Sequence, residues 1–136
     1  MARTPFKVEV LTPEGEVFSD DVEQVSTRTE TGSIGILANH QPLLGMLAPT
    51  ELRLYKSESD VVAFAQGEGY VQVAEGRVLI LVEEAIAPGD LDRARLQEQL
   101  KQAEQDIAAA EPNSEALNKA RRDKRRATTF LAVTGE

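Results

Sequence analysis

The sequence predicts an antiparallel β-sandwich followed by a two-helix hairpin, and three observations support this fold class. Before Pro88, short alternating segments are separated by turn residues every eight to twelve positions, as in a sandwich. From residue 90 to about residue 131 the pattern has a helical period and almost no β signal. Residues 111–114 (Glu-Pro-Asn-Ser) interrupt that helical pattern. We therefore expect a β domain over residues 1–87 and a mobile helical domain over residues 88–136.

The first strand is predicted from strict alternation. Phe6, Val8 and Val10 alternate with polar residues, which indicates a strand with one buried face. Residues 12–15 (Thr-Pro-Glu-Gly) predict a turn, because proline and glycine suit its restricted and positive-φ positions. The other expected strands are 17–18, 22–28, 52–55, 61–65, 70–73 and 77–82.

Three local features of the β domain carry further expectations. Gly32 and Gly35 predict tight backbone bends around the neighbouring isoleucines. Residues 74–76 (Ala-Glu-Gly) predict a tight turn between two strands. Residues 78–82 (Val-Leu-Ile-Leu-Val) are continuously apolar, which favours a strand covered on both faces.

The helical pattern predicts two helices with unequal apolar stripes. Asp90 is the expected N-cap of the first helix, Pro112 ends it, and Asn113 or Ser114 caps the second. The stripe of the first helix is Leu96, Leu100, Ala103 and Ile107. The stripe of the second is Leu117, Ala120, Lys124, Ala127 and Leu131. Because alanines bury little apolar surface, the hairpin is expected to be held loosely and to detach.

Charge is divided unevenly along the chain, although the total is −8. Residues 1–112 hold twenty acidic and nine basic side chains, whereas residues 113–136 hold six basic and three acidic ones. The basic last helix is therefore expected to fold back on its own acidic chain or to reach an acidic partner. No segment approaches the ~20 apolar residues that span a bilayer, so membrane association is expected only through a partner.

The residue inventory argues against an active site or a metal site. The chain has no cysteine and one histidine, and it shows no Ser–His–acid set or phosphate-binding loop. His40 lies in a predicted loop, where a hydrogen-bonding or interface role is the better interpretation. The acidic residues at 20–23 and at 90 and 92 lack the ligand density of a calcium loop.

Arginines of the second helix are the strongest candidate for ligand binding. Arg121 and Arg125, like Arg122 and Arg126, are four residues apart, so each pair shares a helix face and forms a fork suited to phosphate. In a closed hairpin, Asp92 and Arg95 are expected to approach this cluster. Two other interpretations remain open: a solvated basic face with an intrahelical Asp92–Arg95 pair, and nucleic-acid binding. The basic run has no aromatic residue for base stacking, so nucleic acid is not an expected partner.

One segment resembles a known family. Residues 32–44 (GSIGILANHQPLL) resemble the signature of the epsilon subunit of the bacterial and chloroplast rotary ATP synthase, in which Gly-x-x-Gly-Ile/Val-Leu leads to His-x-Pro-Leu-Leu. Segments 8–13, 67–71, 78–82 and 88–92 also match, so the resemblance covers nearly the whole chain in the same order.

The resemblance implies a fold, a function and a location. It implies a sandwich of about ten strands and a non-catalytic rotor subunit that couples gamma to the c ring during ATP synthesis. The C-terminal helices would restrain ATP hydrolysis by contacting the catalytic alpha and beta subunits. No cofactor is implied as a requirement, and the subunit would lie at the cytoplasmic side of the cell membrane without inserting into it.

The resemblance also implies site residues. Glu30, Thr31, Gly32 and Ser33 correspond to the loop that touches the c ring, although an acidic residue often found at the Ser33 position is missing. His40 corresponds to a histidine that faces gamma.

Some bacterial members bind regulatory ATP through an Ile/Leu-Asp-x-x-Arg-Ala motif, which residues 91–95 match, with Leu96 in place of the alanine. The implied ATP-binding residues are Asp92, Arg95, Arg121, Arg122, Arg125 and Arg126. A stand-alone ATP-sensing module built on the same hairpin is the alternative interpretation.

Overall fold

The computed structural model describes residues 3–134, which divide into two compact units between Ala87 and Pro88. The first unit holds ten strands among these residues. They are β1 (Phe6–Thr12), β2 (Gly15–Val22), β3 (Gln24–Thr29), β4 (Gly32–Ile36), β5 (Leu43–Leu47), β6 (Thr50–Tyr55), β7 (Val61–Gln66), β8 (Gly69–Ala74), β9 (Arg77–Val82) and β10 (Ala85–Ile86). The predicted β class and the predicted number of strands are confirmed.

The strands form one hydrogen-bonded path in the order β10-β7-β6-β3-β5-β8-β9-β1-β2, with β4 paired to β3. Every pairing is antiparallel except β1 with β9, which run in the same direction. This one parallel pair departs from the predicted antiparallel pattern. No tight turn joins β1 to β9, so chain connectivity does not force them to be antiparallel.

A single apolar core lies inside this unit. Phe6, Val8 and Val10 point inward as the alternation predicted, and they join buried residues of seven other strands. On the surface of the unit, Lys56 Nζ of the β6–β7 loop lies 3.0 Å from Asp20 Oδ2 on the edge strand β2. The hydrogen bond from Lys56 is the main cause that lowers the pKa of the Asp20 carboxyl.

A buried hydrogen-bond network connects three parts of the β unit. Gln66 is fully buried, and its Oε1 accepts a 2.6 Å hydrogen bond from the hydroxyl of Thr27. Its Nε2 donates to the carbonyl oxygens of Ala48 (2.9 Å) and Gly67 (3.1 Å). The network therefore ties β3, the β5–β6 connection and the end of β7 together in the core.

Two packing expectations are wrong. Gly35 lies in regular β4 opposite Ser26, so no tight bend occurs there. Glycine is instead required at position 69, because a Cβ on Gly69 would lie 1.9 Å from the carbonyl oxygen of Leu81. Strand β9 is also not covered on both faces, since Leu81 is 44% exposed.

The second unit contains a short 3₁₀ turn (Pro88–Asp90), α1 (Arg93–Ala109) and α2 (Glu115–Val133). Asp92, not Asp90, is the N-cap of α1, because its Oδ1 accepts from the backbone N–H of Arg95 at 3.1 Å. Asp90 belongs to the preceding 3₁₀ turn. Ser114 caps α2 by accepting from the N–H of Leu117 at 3.1 Å, as one of the two predicted candidates.

The apolar face of α2 follows a different line from the predicted stripe. Leu117, Ala120 and Ala127 are buried as expected. Phe130, which the stripe left out, is 2% exposed, while Lys124 is exposed and points its charge toward Glu104 of α1. Lys124 keeps its ammonium group in solvent, because burying an unpaired charge is costly.

Candidate functional site

The turn between β3 and β4 holds the residues predicted to touch a ring of partner subunits. Glu30 and Thr31 form the turn, while Gly32 (φ 140°) and Ser33 begin β4. The hydroxyl of Thr29 stabilises the turn by donating to the carbonyl of Gly32 at 3.1 Å. Glu30 N–H donates to the carbonyl of Met46 on β5 at 3.0 Å, so the turn is anchored to that strand.

His40 lies in the loop between β4 and β5. Its backbone N–H donates to the carbonyl of Leu37 at 3.1 Å, and its Nδ1 lies 2.7 Å from the carbonyl oxygen of Gln41. Asn39 takes a positive φ of 68° just before it. These local contacts orient the ring of a half-buried side chain, which suits an interface residue better than a catalytic base.

A row of apolar side chains lies next to these two loops, on the outer face of β5, β8, β9 and β1. Met46 is paired with Tyr70, Tyr70 with Leu81, and Leu81 with Leu11, so the four side chains are cross-strand neighbours. Met46 is 58% exposed and Tyr70 is 52% exposed. Leu44, two residues before Met46 on the same face, is 75% exposed. We call these five residues the outer apolar row.

Sequence reasoning missed the outer apolar row. Residues 43–47 (Leu-Leu-Gly-Met-Leu) are apolar at both alternating sets of positions, so alternation could not tell the inward face from the outward one. Only the pairing register shows that Leu43 and Leu47 face the core while Leu44 and Met46 face out.

An open groove of about 330 Å³ lies at one end of the outer apolar row. Tyr70 and Leu81 line it together with Leu11 and Pro13, and Glu83 provides an acidic side. Glu9 lies beside this region on β1, opposite Leu79 of β9. The row therefore has an apolar centre with carboxylates near it, which suits a partner surface that is apolar and basic.

The arginines of α2 lie on a mostly exposed helix surface. Arg121, Arg122 and Arg125 are exposed, whereas Arg126 is half-buried and its Nη2 lies 2.9 Å from Asp123 Oδ1. Lys119 Nζ contacts the other oxygen of Asp123 at 2.7 Å. Partial burial acts to raise the pKa of the Asp123 carboxyl, but the two hydrogen bonds outweigh it, so the pKa lies below the ordinary aspartate value. One member of the Arg122/Arg126 fork is therefore already engaged within α2.

The register of the hairpin gives the axial spacing between the two predicted parts of the ATP site. Glu104 faces Lys124, and Arg93 Nη1 donates to Thr134 Oγ1 at 2.8 Å, so α1 and α2 are antiparallel. At about 1.5 Å per residue, Arg95 lies about 10 Å along the hairpin from the level of Arg126 and about 16 Å from that of Arg122. The Asp92 carboxylate serves its own helix as a cap. Along the hairpin axis, Arg95 is therefore nearer to the level of Arg126 than to that of Arg122.

Residues 3–134 contain neither a cluster of metal-binding side chains nor a helix that could span a membrane. No group of three or more histidine, cysteine, aspartate or glutamate side chains is arranged to hold a metal ion there. Neither helix in this part of the chain is long and apolar enough to cross a membrane.

Comparisons with known proteins identify the family. The profile of the family described as "ATP synthase, Delta/Epsilon chain, beta-sandwich domain" matches residues 5–88. The ATP synthase epsilon chain of Halalkalibacterium halodurans is 38% identical over 128 residues, which are 94% of this chain and 96% of that relative. The epsilon chain of Persephonella marina is 36% identical, covering 96% of each chain.

A solved structure supports the fold at lower identity. A chain in the cryo-EM structure of the Euglena gracilis mitochondrial ATP synthase (OSCP/F1/c-ring, rotational state 1) superposes with a TM-score of 0.81 and 19% identity. The match covers 97% of this chain and 82% of that chain, so it includes strands and helices alike. From the profile match and the two relatives, this chain belongs to the ATP synthase epsilon chain family.

Proposed function

We propose that this chain is a non-catalytic subunit of the central rotor stalk of a proton-translocating ATP synthase. In this role it couples the gamma subunit to the c ring during ATP synthesis and inhibits ATP hydrolysis through α1 and α2. The observation that carries the proposal is the family membership over nearly the whole chain. Two solved assemblies that contain a chain of this fold support the same setting: the Euglena gracilis mitochondrial ATP synthase (OSCP/F1/c-ring) and the central stalk and c-ring of the Tetrahymena thermophila mitochondrial ATP synthase.

The proposed contacts use two loops of the β unit, the β3–β4 turn and the β4–β5 loop. The turn residues Glu30, Thr31, Gly32 and Ser33 would contact the c ring, and His40 would face gamma. The turn is anchored to β5 by the Glu30–Met46 hydrogen bond, and the His40 loop leads into the same strand, so β5 supports both contact regions. The subunit would lie at the cytoplasmic side of the cell membrane, attached through these partners.

Co-purification tests the proposal directly. A tagged copy of the chain, expressed in its own cells and recovered under mild conditions, should bring down gamma, the c subunit and the catalytic subunits. A copy with Glu30→Arg and His40→Asp, two substitutions in the predicted contact loops, should recover less of them. Recovery of the tagged wild-type chain without gamma and the catalytic subunits would disprove the stalk assignment.

A second candidate role is regulatory ATP binding on the hairpin, alone or within the complex. The exposed Arg121 and Arg122, close to Arg125 and Arg126, present guanidinium groups that match phosphate oxygens. In this proposal Asp92 and Arg95 act at the far end of the hairpin, or after a change in its register. ATP that binds only the closed hairpin would draw the population away from an extended, inhibitory form.

Calorimetry of the full-length chain with ATP tests this second role. Heat should be released at millimolar ATP, and Arg122→Ala should weaken binding at least tenfold, about 1.4 kcal/mol. Arg77→Ala, an exposed arginine on the β unit, serves as the matched control and should leave binding unchanged. If both variants bind ATP equally well, the arginines of α2 form only a solvated basic face and do not bind ATP.

A further inference from the structure

A hydrogen bond joins the two helices at the open end of the hairpin, between residues 41 positions apart in the chain. Arg93 lies in the first turn of α1, and Thr134 follows directly after α2. Nη1 of Arg93 donates to Oγ1 of Thr134 at 2.8 Å. The same hydroxyl donates to the carbonyl oxygen of Leu131 at 2.7 Å, so it connects the guanidinium group of α1 to the last turn of α2. We call this contact the Arg93–Thr134 latch.

The charge of Arg93 is poorly placed for its own helix and well placed for the neighbouring one. A cation near the N-terminus of a helix opposes the helix dipole, whereas a cation near the C-terminus is favourable. Arg93 lies in the first turn of α1, but its guanidinium group contacts the C-terminal end of α2. The last turn of α2 has no basic residue of its own. Closing the hairpin therefore gives α2 a cation that its own last turn lacks, and separating the helices removes it.

The latch lies where chain connectivity does not hold the helices together. At the other end of the hairpin, residues 110–114 join α1 to α2 covalently, so the helices stay near each other there. Near mid-length, Glu104 and Lys124 form an exposed ion pair at 3.7 Å, which contributes little. The first turn of α1 and the end of α2 can separate only if the Arg93–Thr134 hydrogen bond breaks.

We propose that the Arg93–Thr134 latch sets the balance between the closed hairpin and the extended form in which the helices have separated. The inference rests on the proposed function, in which the extended form is the inhibitory one, and it deepens that function by naming the contact that regulates it. Breaking the latch removes an interaction that only the closed form makes, so the population shifts toward the extended form.

Each half of the latch can be removed by a substitution that keeps the size of the side chain. Arg93 is exposed, and Arg93→Met removes its donor groups and charge while leaving the hydrogen bonds within α2 in place. Thr134→Val keeps the branched shape but removes the hydroxyl, including its bond to Leu131. Because the contact is partly exposed to solvent, its loss should raise the ratio of extended to closed chains by roughly fivefold.

The absence of cysteine from the chain allows opening to be measured with one introduced thiol. Ala120 of α2 is 2% exposed and lies toward the covalent end of the hairpin, so fraying of the last turn does not uncover it. In the full-length Ala120→Cys chain, the rate of reaction with an added thiol reagent therefore follows separation of the whole hairpin.

The latch substitutions are compared in this Ala120→Cys chain. Arg93→Met and Thr134→Val should each raise the reaction rate roughly fivefold. The double variant should react no faster than either single variant, because both substitutions remove the same contact. Lys101→Met removes another exposed cation of α1 and serves as the matched control, so it should leave the rate unchanged.

The outcomes separate this inference from the function beneath it. An unchanged rate in Arg93→Met, or effects of the two substitutions that simply add, would disprove the latch. Loss of helix in Arg93→Met, measured by circular dichroism, would also overturn it, because α2 would then have unfolded rather than separated. In reconstituted ATP synthase, the Arg93→Met chain should inhibit ATP hydrolysis more strongly than wild type. If the thiol rate rises and inhibition does not, the latch stands and the inhibitory role of the extended helices is wrong.

Discussion

The Nζ atom of Lys124 on α2 lies 3.7 Å from the Oε2 atom of Glu104 on α1. Both side chains are largely exposed, so this ion pair contributes at most about 1 kcal/mol and is screened by salt. The facing buried residues Ala103, Ala120 and Ala127 supply little apolar area. At the level of this ion pair the hairpin is therefore held by weak interactions, whereas Leu96, Leu117 and Phe130 are the large buried side chains of the helical unit.

Removing residues 88–136 should leave assembly intact and raise the rate of ATP hydrolysis by the complex. The apolar core of the β unit uses no residue beyond Val82 among its buried members, so the remaining part keeps its packing. The measurement compares ATPase rates of complexes carrying full-length or truncated chain, with subunit content checked on a gel. Fully assembled truncated complexes that hydrolyse ATP no faster than intact ones would rule out inhibition by the helices.

Phe130→Ala should disrupt the helical unit. Phe130 is 2% exposed, and deleting a buried phenylalanine side chain costs about 3–5 kcal/mol. Circular dichroism should show loss of helix at a much lower temperature than in wild type. Leu131→Ala is the matched control, because Leu131 was in the predicted stripe but remains partly exposed, so its loss should be smaller. Equal losses would mean that the predicted stripe, rather than the observed one, describes the packed face.

Gln66→Leu should destabilise the β unit by about 1–3 kcal/mol, because the Thr27 hydroxyl and the Ala48 and Gly67 carbonyls lose their buried partner. Chemical unfolding followed by circular dichroism measures the change. Gln72→Leu, on the exposed face of β8, should change stability by no more than about 0.5 kcal/mol. A Gln66 variant as stable as wild type would show that the network contributes nothing net.

Asp123→Asn should weaken the helical unit near neutral pH and have no effect in strong acid. The pKa of Asp123 lies below its ordinary value, so its ion pairs stabilise the fold above about pH 3.9, the unfolded value, and this contribution is lost as the pH falls through the folded pKa. Thermal unfolding of wild type and variant across roughly pH 2 to 7 measures the difference. Glu98→Gln, an exposed carboxylate on α1, is the control. A wild-type advantage that persists unchanged at the acid end would contradict the role of the Asp123 charge.

The sequence by itself determined the features that depend on near neighbours. Thr12 to Gly15 form the predicted turn, and Glu75 and Gly76 both take positive φ (52° and 74°) in the turn between β8 and β9. Pro112 separates the two helices as expected, because proline cannot continue a helix and a new cap follows it. The segment around His40 was enough to indicate the family, since its glycines, proline and histidine occur at a distinctive spacing.

Only the tertiary structure decided the features that depend on residues far apart in the chain. The parallel pairing of β1 with β9 has no local signal, because seven strands separate them. The sequence could not show which face of β5 points outward, because its apolar residues do not alternate with polar ones. The pairing of β5 with β8 shows that Met46 lies on the outward face. Asp92 rather than Asp90 became the cap because the 3₁₀ turn uses Asp90 before α1 begins. Phe130 is buried and Lys124 is exposed, although only Lys124 was in the predicted stripe. The reason is that burying an unpaired lysine charge is costly, whereas burying a phenylalanine ring is favourable.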